Sequence, residues 1–479
     1  MNSAIKRREF LRRSMLTGLA AGATMSSAWP LRAMAACDVV DMPRTLVNLM
    51  FYGGMDSRFI FMPAPNYDAG YLAELWGARA DLYTTAYPTY EDMFLAEYDE
   101  VVDPLTGTIN FGIHKSCGWL RDEFAAGRVA VVANSVCSKN RRHDQSQLNA
   151  NLGEPAFNNL YYNRSGWGGR LVEQLSSANT VEISHEISVF GNGSIDGERL
   201  RNVIHAKNTR DIALPNINPD WSVTDRRNVL TRALKSYYEA RGEELAGDTS
   251  SPFNLFFQHN NAFRAFGDQV EQRLNDCGPL PAELAGLDLY SGHFEQQCRN
   301  LYDVCLAPDV LNVGTLSMRY DGWDTHNNQY TRITRNLGDV FGSSGGLSTA
   351  MGQIAGIPTA GAPANEQLTF CVSSDFGRQL RANGDKGTDH GRGIYTIVAG
   401  HGVNGGVYGD MFPAREAVPD SNGKVPFQTS GADIQGLTST ERILAEACEW
   451  MQPGSGAGVF PNAASSEIEA PGLLDTLFA

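Results

Sequence analysis

Positive charge is scarce in this sequence. Its 479 residues include 39 Lys and Arg against 54 Asp and Glu, which gives a formal net charge of −15. Such a balance repels phosphate backbones and anionic lipid surfaces, so a nucleic-acid-binding protein is not expected. Long apolar runs are lacking too, because no stretch approaches the roughly 18 consecutive apolar residues that span a bilayer. A membrane-embedded bundle is therefore excluded, and no transmembrane segment is expected.

Cysteine is also sparse. Eight cysteines are an even number, which suits an oxidising compartment, but they are spread too thinly for a disulfide scaffold. Their spacing leaves the pairing open. Cys298 and Cys305 are not expected to pair, because in a helix seven residues separate them by roughly 10 Å.

The first 35 residues differ from the rest of the chain. The pair Arg7-Arg8 is followed by Phe10-Leu11, by a weakly apolar run over residues 15–29 and by the small-residue site Ala33-Met34-Ala35. This order predicts a twin-arginine signal peptide over residues 1–35, with the twin-arginine translocase as partner during export. A cytosolic amphipathic helix is the alternative interpretation.

Export places the mature chain, residues 36–479, in the periplasm or outside the cell. Cys37 follows a degenerate lipobox, so a lipid anchor at this cysteine is a second interpretation. The twin-arginine system carries folded proteins, and many of them load a metal or redox cofactor first. A metal site is therefore worth seeking in the mature chain.

Short apolar runs alternate with segments of helical periodicity. The composition, with 42% hydrophobic residues, 49 Gly and 21 Pro, is that of a globular protein with many loops. Strands are predicted at 44–51, 129–133, 310–314, 368–372 and 394–398, and helices at 168–177, 222–245, 255–274, 294–306, 327–341 and 441–450. The pattern predicts one α/β domain over residues 36–479, with a mostly parallel central sheet flanked by helices. Residues from about 200 to 300 are interpreted as a helical insertion, and residues 342–366 as an irregular connection.

Asp and His recur just past the predicted strands. An Asp in such a place is most often a turn former or a helix cap. Functional side chains in a parallel sheet also gather at strand ends, so the joint recurrence indicates a functional site. The segments are Gly53-Gly54-Met55-Asp56, residues 137–144, Gly322-Trp323-Asp324-Thr325-His326, residues 374–378 and Asp389-His390-Gly391.

These motifs, together with the signal segment, Ile113-His114 and residues 165–170, resemble an exported family catalogued as domain of unknown function 1501. The resemblance covers nearly the whole mature chain. That family is in turn similar to the alkaline phosphatase and sulfatase superfamily. The similarity implies an alkaline-phosphatase-like α/β fold that binds one or two divalent metals at strand ends, beside a nucleophile.

The resemblance also implies metal ligands. Carboxylates and imidazoles together suit zinc, manganese or magnesium, whereas an all-oxygen calcium site would leave the histidines unexplained. Phe376 stands where the superfamily has a histidine, which favours one metal or a weakened second site. The implied ligands are Asp56, Asp324, His326, Asp375 and His390.

The same resemblance places Cys137 and Arg141 at the nucleophile motif of sulfatases, although Lys139 replaces its proline. Cys137 is therefore a candidate nucleophile or a structural thiol, and Ser138 or a metal-bound water are the other candidates. His143 is a candidate metal ligand or general acid, or a surface histidine.

Arg378 and Arg392 follow two of the implied ligands. They are candidates for holding an anionic group, or for salt bridges to Asp385 or Asp389. The resulting expectation is metal-assisted hydrolysis of a small phosphate or sulfate ester. The alternative is a non-catalytic exported surface or assembly protein that keeps the fold and a structural metal.

Overall fold

We describe the chain from a computed structural model. The structure describes residues 39–107, 110–154, 165–175 and 265–479, together with Cys37 and short pieces between residues 181 and 241. The predicted signal peptide, most of the predicted helix 222–245 and the first half of the predicted helix 255–274 lie outside the described residues. Among the helices it describes, none has the length and apolar character needed to cross a membrane.

The described strands are organised around one central sheet. Its strands run in the order β11-β5-β10-β9-β1-β8, with β12 also paired to β5, whereas β2, β3 and β4 form a small sheet of their own and β6 pairs with β7. The bounds are β1 Thr45–Tyr52, β2 Phe61–Pro63, β3 Tyr98–Val102, β4 Asn110–His114, β5 Val129–Val136, β6 Val181–Glu182, β7 Ile204–His205, β8 Thr315–Asp321, β9 Leu368–Ser374, β10 Gly393–Gly400, β11 Gly406–Tyr408 and β12 Thr438–Ser439.

The described helices lie on both faces of this sheet. Along β5, Val129, Val131 and Ala133 pack into one hydrophobic core, whereas Ala130 and Val132 pack into a second one on the opposite face. The helices are α1 Ser57–Ile60, α2 Ala69–Arg79, α3 Tyr90–Glu97, α4 Gly118–Ala125, α5 His143–Leu152, α6 Trp167–Gln174, α7 265–276, α8 Ala282–Ala285, α9 Gly292–Leu306, α10 Pro308–Leu311, α11 Gln329–Phe341, α12 Gly346–Ile354, α13 Thr440–Met451 and α14 Ser455–Val459. The fold is therefore a layered α/β domain, as the alternating pattern predicts.

The sheet is mixed. β1 pairs in parallel with β8 and β9, and β5 pairs in parallel with β11 and β12, but β10 is antiparallel to both of its neighbours. Phe51 of β1 lies opposite Tyr320 and Ser374, while Val136 of β5 lies opposite Gly393, the first residue of β10. The ends of β1, β5, β8 and β9 and the start of β10 therefore share one edge, and the connections at that edge meet.

Two local predictions are wrong. Residues 310–314 are not a strand, because Pro308 starts the short helix α10 and Asn312, with φ at 43°, ends it. The strand in this part of the chain is β8, which begins at Thr315. Its sequence includes polar residues, so a search for apolar runs does not find it. The second wrong prediction is that residues 342–366 form an irregular connection, because this segment contains helix α12.

The described cysteines form one disulfide, between Cys37 and Cys277. Cys298 and Cys305 both lie in α9 and are buried free thiols, so the expectation that they do not pair is confirmed. Cys37, the candidate residue for a lipid anchor, is thus paired with Cys277 in this structure.

Candidate metal centre

Four side chains meet at the shared edge of the sheet. His143 opens α5 after β5, Asp324 and His326 follow β8, and His390 precedes β10. One ligand atom each from His143, Asp324 and His390 lies within 4.8 Å of the other two. Nε2 of His326 lies 3.0 Å from Nε2 of His390 and 3.2 Å from Oδ1 of Asp324. We call these four residues the His/Asp cluster.

Each histidine of the cluster is held at Nδ1 by an acceptor. The contacts are His143 Nδ1 to Asp375 Oδ2 at 2.9 Å, His326 Nδ1 to Asp389 Oδ1 at 3.0 Å, and His390 Nδ1 to the Arg141 carbonyl oxygen at 2.9 Å. An acceptor at Nδ1 requires the ring to donate there, so the neutral ring carries its lone pair at Nε2. Metal-ligating histidines in proteins are anchored in the same way.

The three Nε2 atoms point toward one carboxylate. They lie 3.7 Å from Asp324 Oδ2 for His143 and 3.2 Å from Asp324 Oδ1 for both His326 and His390. In neutral rings, the Nε2 atoms of His326 and His390 would face each other with two lone pairs. A cation between them relieves that repulsion, and two nitrogens bonded to one zinc ion lie roughly 3.3 Å apart. The donor set and its geometry therefore fit a metal ion.

Charges around the cluster favour the protonation states that a metal needs at two of the four residues. Burial opposes ionisation of Asp324, but the hydrogen bond and charge of Arg378, together with contributions from His390 and His326, outweigh burial and lower the pKa of Asp324 to about 2. Burial and the charge of Arg378 lower the pKa of His390, which keeps that ring neutral. The hydrogen bond to Asp375 raises the pKa of His143, so a proton competes with a metal at this ring.

Asp375, an implied ligand, lies behind the cluster. It is fully buried, its Oδ1 accepts the amides of Gly53 and Gly54 at 3.1 and 2.9 Å, and its Oδ2 accepts from His143. Phe376 next to it packs against His143, with ring centroids 4.7 Å apart. Asp375 therefore orients His143 and closes the turn after β1.

Asp56, another implied ligand, is also kept out of the cluster. Its side chain is buried, and its Oδ2 accepts from Arg79 Nη2 and from Gln329 Nε2, each at 2.5 Å. The structure thus brings together Asp324, His326 and His390 of the five implied ligands and adds His143 to them.

The candidate nucleophile does not join the cluster. Cys137 is buried in the hydrophobic core, and burial raises the pKa of its thiol to about 12, so no thiolate forms near neutral pH. Arg141 contributes its carbonyl oxygen to His390, while its guanidinium binds Asp433 at 2.5 Å.

The two candidate anion-binding arginines are both engaged within the chain. Arg378 is buried and donates to the carbonyl oxygens of four residues and to Asp324 Oδ1 at 2.7 Å; the four are Gly53, Gly54, Trp323 and Thr388. Arg392 is half-exposed and pairs with Asp433 through two hydrogen bonds of 3.0 and 3.1 Å. Its partner is therefore neither Asp385 nor Asp389.

Two glycines allow close contact between the backbone segments that carry the cluster: Gly53 lies against Asp324, and Gly387 lies against His326. A Cβ on Gly53, whose φ is +124°, would lie 2.2 Å from the backbone nitrogen of Asp324. A Cβ on Gly387 would lie 2.2 Å from the carbonyl carbon of His326. The sequence did not predict the role of Gly387, nor that Asp389 accepts the hydrogen bond from His326 Nδ1. Asp389 does lie in the predicted motif Asp389-His390-Gly391. Nothing local to Asp433 marks it as the partner of two arginines.

Comparison with known proteins agrees with these motifs. The family model described as "Protein of unknown function (DUF1501)" matches residues 126–424, more than half of the chain. The whole His/Asp cluster lies inside the match, whereas Asp56 precedes it. Comparison with curated proteins gave no match. On this match, the chain belongs to the DUF1501 family of proteins of unknown function.

Proposed function

We propose that the His/Asp cluster binds one divalent metal ion and that zinc suits it best. The supporting observation is the set of three Nε2 atoms, each on a ring anchored at Nδ1, that face one ionised carboxylate. Imidazole and carboxylate ligands are typical of zinc, whereas magnesium prefers oxygen ligands and keeps several waters. Manganese is the second candidate by its donor preference.

We propose metal-dependent hydrolysis of a phosphate or sulfate ester as the reaction. The cluster is open to solvent, because its side chains are between 23% and 47% exposed. A divalent metal supplies a Lewis acid that activates water and polarises an ester. Because Cys137 is buried with a raised thiol pKa, water is the proposed nucleophile.

Neighbouring residues of the chain orient the four ligand side chains. Asp375, Asp389 and the Arg141 carbonyl fix the planes of the three imidazoles, and Arg378 orients the Asp324 carboxylate through a hydrogen bond of 2.7 Å. The order of the motifs along the chain and the site at the strand ends support the proposed relation to the alkaline phosphatase and sulfatase superfamily.

A non-catalytic exported protein with a structural metal is the second candidate. Four protein side chains are enough to complete a tetrahedral zinc shell, and closed four-ligand sites are typical of structural zinc. The internal engagement of Arg378 and Arg392 also favours this candidate, because each guanidinium already donates to acceptors within the chain.

The zinc content and ester turnover of the wild type separate the two candidates, and His143→Ala tests the ligand set. The purified wild type should carry about one zinc ion per chain, and His143→Ala should lose most of it. His401→Ala alters an exposed histidine outside the cluster and should retain the metal. Elemental analysis and assays with an aryl phosphate and an aryl sulfate are the measurements.

On the hydrolase proposal, wild type turns over one ester and His143→Ala is slower by at least about a hundredfold. Stoichiometric zinc with no turnover would favour the structural candidate. Full zinc retention by His143→Ala would remove His143 from the ligand set.

We further propose export through the twin-arginine pathway to the periplasm or beyond. The Arg7-Arg8 segment supports this, and so does the disulfide between Cys37 and Cys277, since such bonds persist in oxidising compartments. The conservative double variant Arg7→Lys, Arg8→Lys should remain in the cytoplasm with all eight thiols open to alkylation after denaturation. Exported wild type should offer six.

The matched control is Arg12→Lys, Arg13→Lys, which alters the second arginine pair of the segment and should be exported. Fractionation and the mass of the alkylated protein report both outcomes. Normal export of the Arg7, Arg8 variant would contradict the proposed route.

A further inference from the structure

A buried polar network lies behind the His/Asp cluster. Its centre is Gln329, the first residue of α11, whose side chain is fully buried. The Gln329 amide donates from Nε2 to Asp56 at 2.5 Å and accepts at Oε1 from the hydroxyls of Thr388 and Thr325, at 2.6 and 3.2 Å. Asp56 in turn is paired with Arg79.

The two threonines belong to the two segments that carry ligands. Thr325 lies between Asp324 and His326, and Thr388 directly precedes the Asp389-His390 pair. The backbone amide of Thr388 also donates to the Thr325 carbonyl oxygen at 3.2 Å. One side-chain oxygen thus joins both segments, and it uses both of its lone pairs to do so.

We propose that Gln329 is a positioning residue, which holds the 324–326 and 388–390 segments at the spacing that metal binding requires. This inference rests on the proposed metal site. A buried amide costs free energy unless its donors and acceptors are paired, and a paired network restricts its members to one geometry. Asp56, anchored by Arg79, fixes the amide from the other side. The network therefore sets the distance of His390 from Asp324 and His326 before a metal binds.

The test uses Gln329→Leu, which keeps the approximate volume and removes the hydrogen bonds. Zinc affinity is measured by competition with a chromophoric chelator, and the melting temperature is measured on the metal-free protein. The matched control is Gln297→Leu, because Gln297 is a buried glutamine whose amide bonds the backbone of Arg319 in β8. Both variants should melt below wild type.

Gln329→Leu should bind zinc more weakly than wild type, by about tenfold or more, and change the visible spectrum of the cobalt-substituted protein, whereas the control Gln297→Leu should do neither. The milder Thr388→Val removes one hydroxyl of the network and should weaken zinc binding by a smaller factor. Unchanged zinc affinity in both Gln329→Leu and Thr388→Val would overturn the positioning role.

A charge exchange provides a rescue. Gln329→Glu places a second carboxylate next to that of Asp56. Adding Asp56→Asn restores the hydrogen bond, with the new Asn side-chain amide as donor and the new Glu carboxylate as acceptor. The double variant has the same total charge as the wild type. The double variant should bind zinc more tightly than Gln329→Glu alone, and failure to recover would count against the role. If wild type binds no zinc, the metal site is wrong and the positioning role falls with it. If wild type binds zinc and the variants match it, only the positioning role is wrong.

Discussion

Removal of bound metal should lower the melting temperature of the protein, and added zinc should restore it. A ligand that binds only the folded state adds about 4 kcal/mol to the free energy of unfolding when its free concentration is about 1,000 times Kd. The three imidazoles and the carboxylate of the His/Asp cluster come from three separate connections, so the folded chain alone brings them together. Thermal unfolding of chelator-treated and zinc-restored protein measures the difference.

The double variant Asp324→Ala, His326→Ala is the control for this experiment. It lacks two ligands, so its melting curve should not respond to the chelator or to zinc. An unchanged wild-type curve after exhaustive chelation would contradict the ligand assignment.

Arg378→Met should cause the largest loss of stability expected from a single substitution at the site. The guanidinium is buried and joins the turn after β1, the segment around Asp324 and the carbonyl of Thr388. Without it, the buried carbonyl oxygens and the Asp324 carboxylate lose their donor, and each buried acceptor left unpaired typically costs about 1 to 3 kcal/mol. Zinc affinity should fall as well, because Asp324 Oδ1 loses the hydrogen bond that orients its carboxylate.

The control is Arg392→Met. This arginine is half-exposed and pairs only with Asp433 among the described contacts, so its loss should change the free energy of unfolding by at most about 1 kcal/mol. Urea midpoints of both variants give the comparison. Equal midpoints would show that the Arg378 network does not stabilise the site.

The buried strands could be predicted from sequence because both of their faces pack against helices. β1, β5, β9 and β10 all read as short apolar runs, and their positions are confirmed. β8 could not be found this way, because its sequence includes Ser317, Arg319 and Asp321. The antiparallel direction of β10 could not be predicted either, since an apolar run has no feature that distinguishes parallel from antiparallel pairing.

The site was partly predictable for a similar reason. The segments that hold His143, Asp324, His326 and His390 were predicted because polar residues at strand ends gather at one edge of a sheet, and the family resemblance implied the last three as ligands. Asp56 and Asp375 share that sequence pattern, but contacts distant in sequence decide their roles: Arg79 and Gln329 hold Asp56, and the amides after β1 hold Asp375.

Anomalous diffraction at the zinc edge tests the central claim most directly. Crystals grown with zinc should show one strong peak bounded by His143, His326 and His390 Nε2 at about 2.0 to 2.1 Å and by an Asp324 oxygen at about 2.0 to 2.2 Å. A zinc-containing crystal with no peak at these four residues would contradict the proposal that the His/Asp cluster is a metal centre.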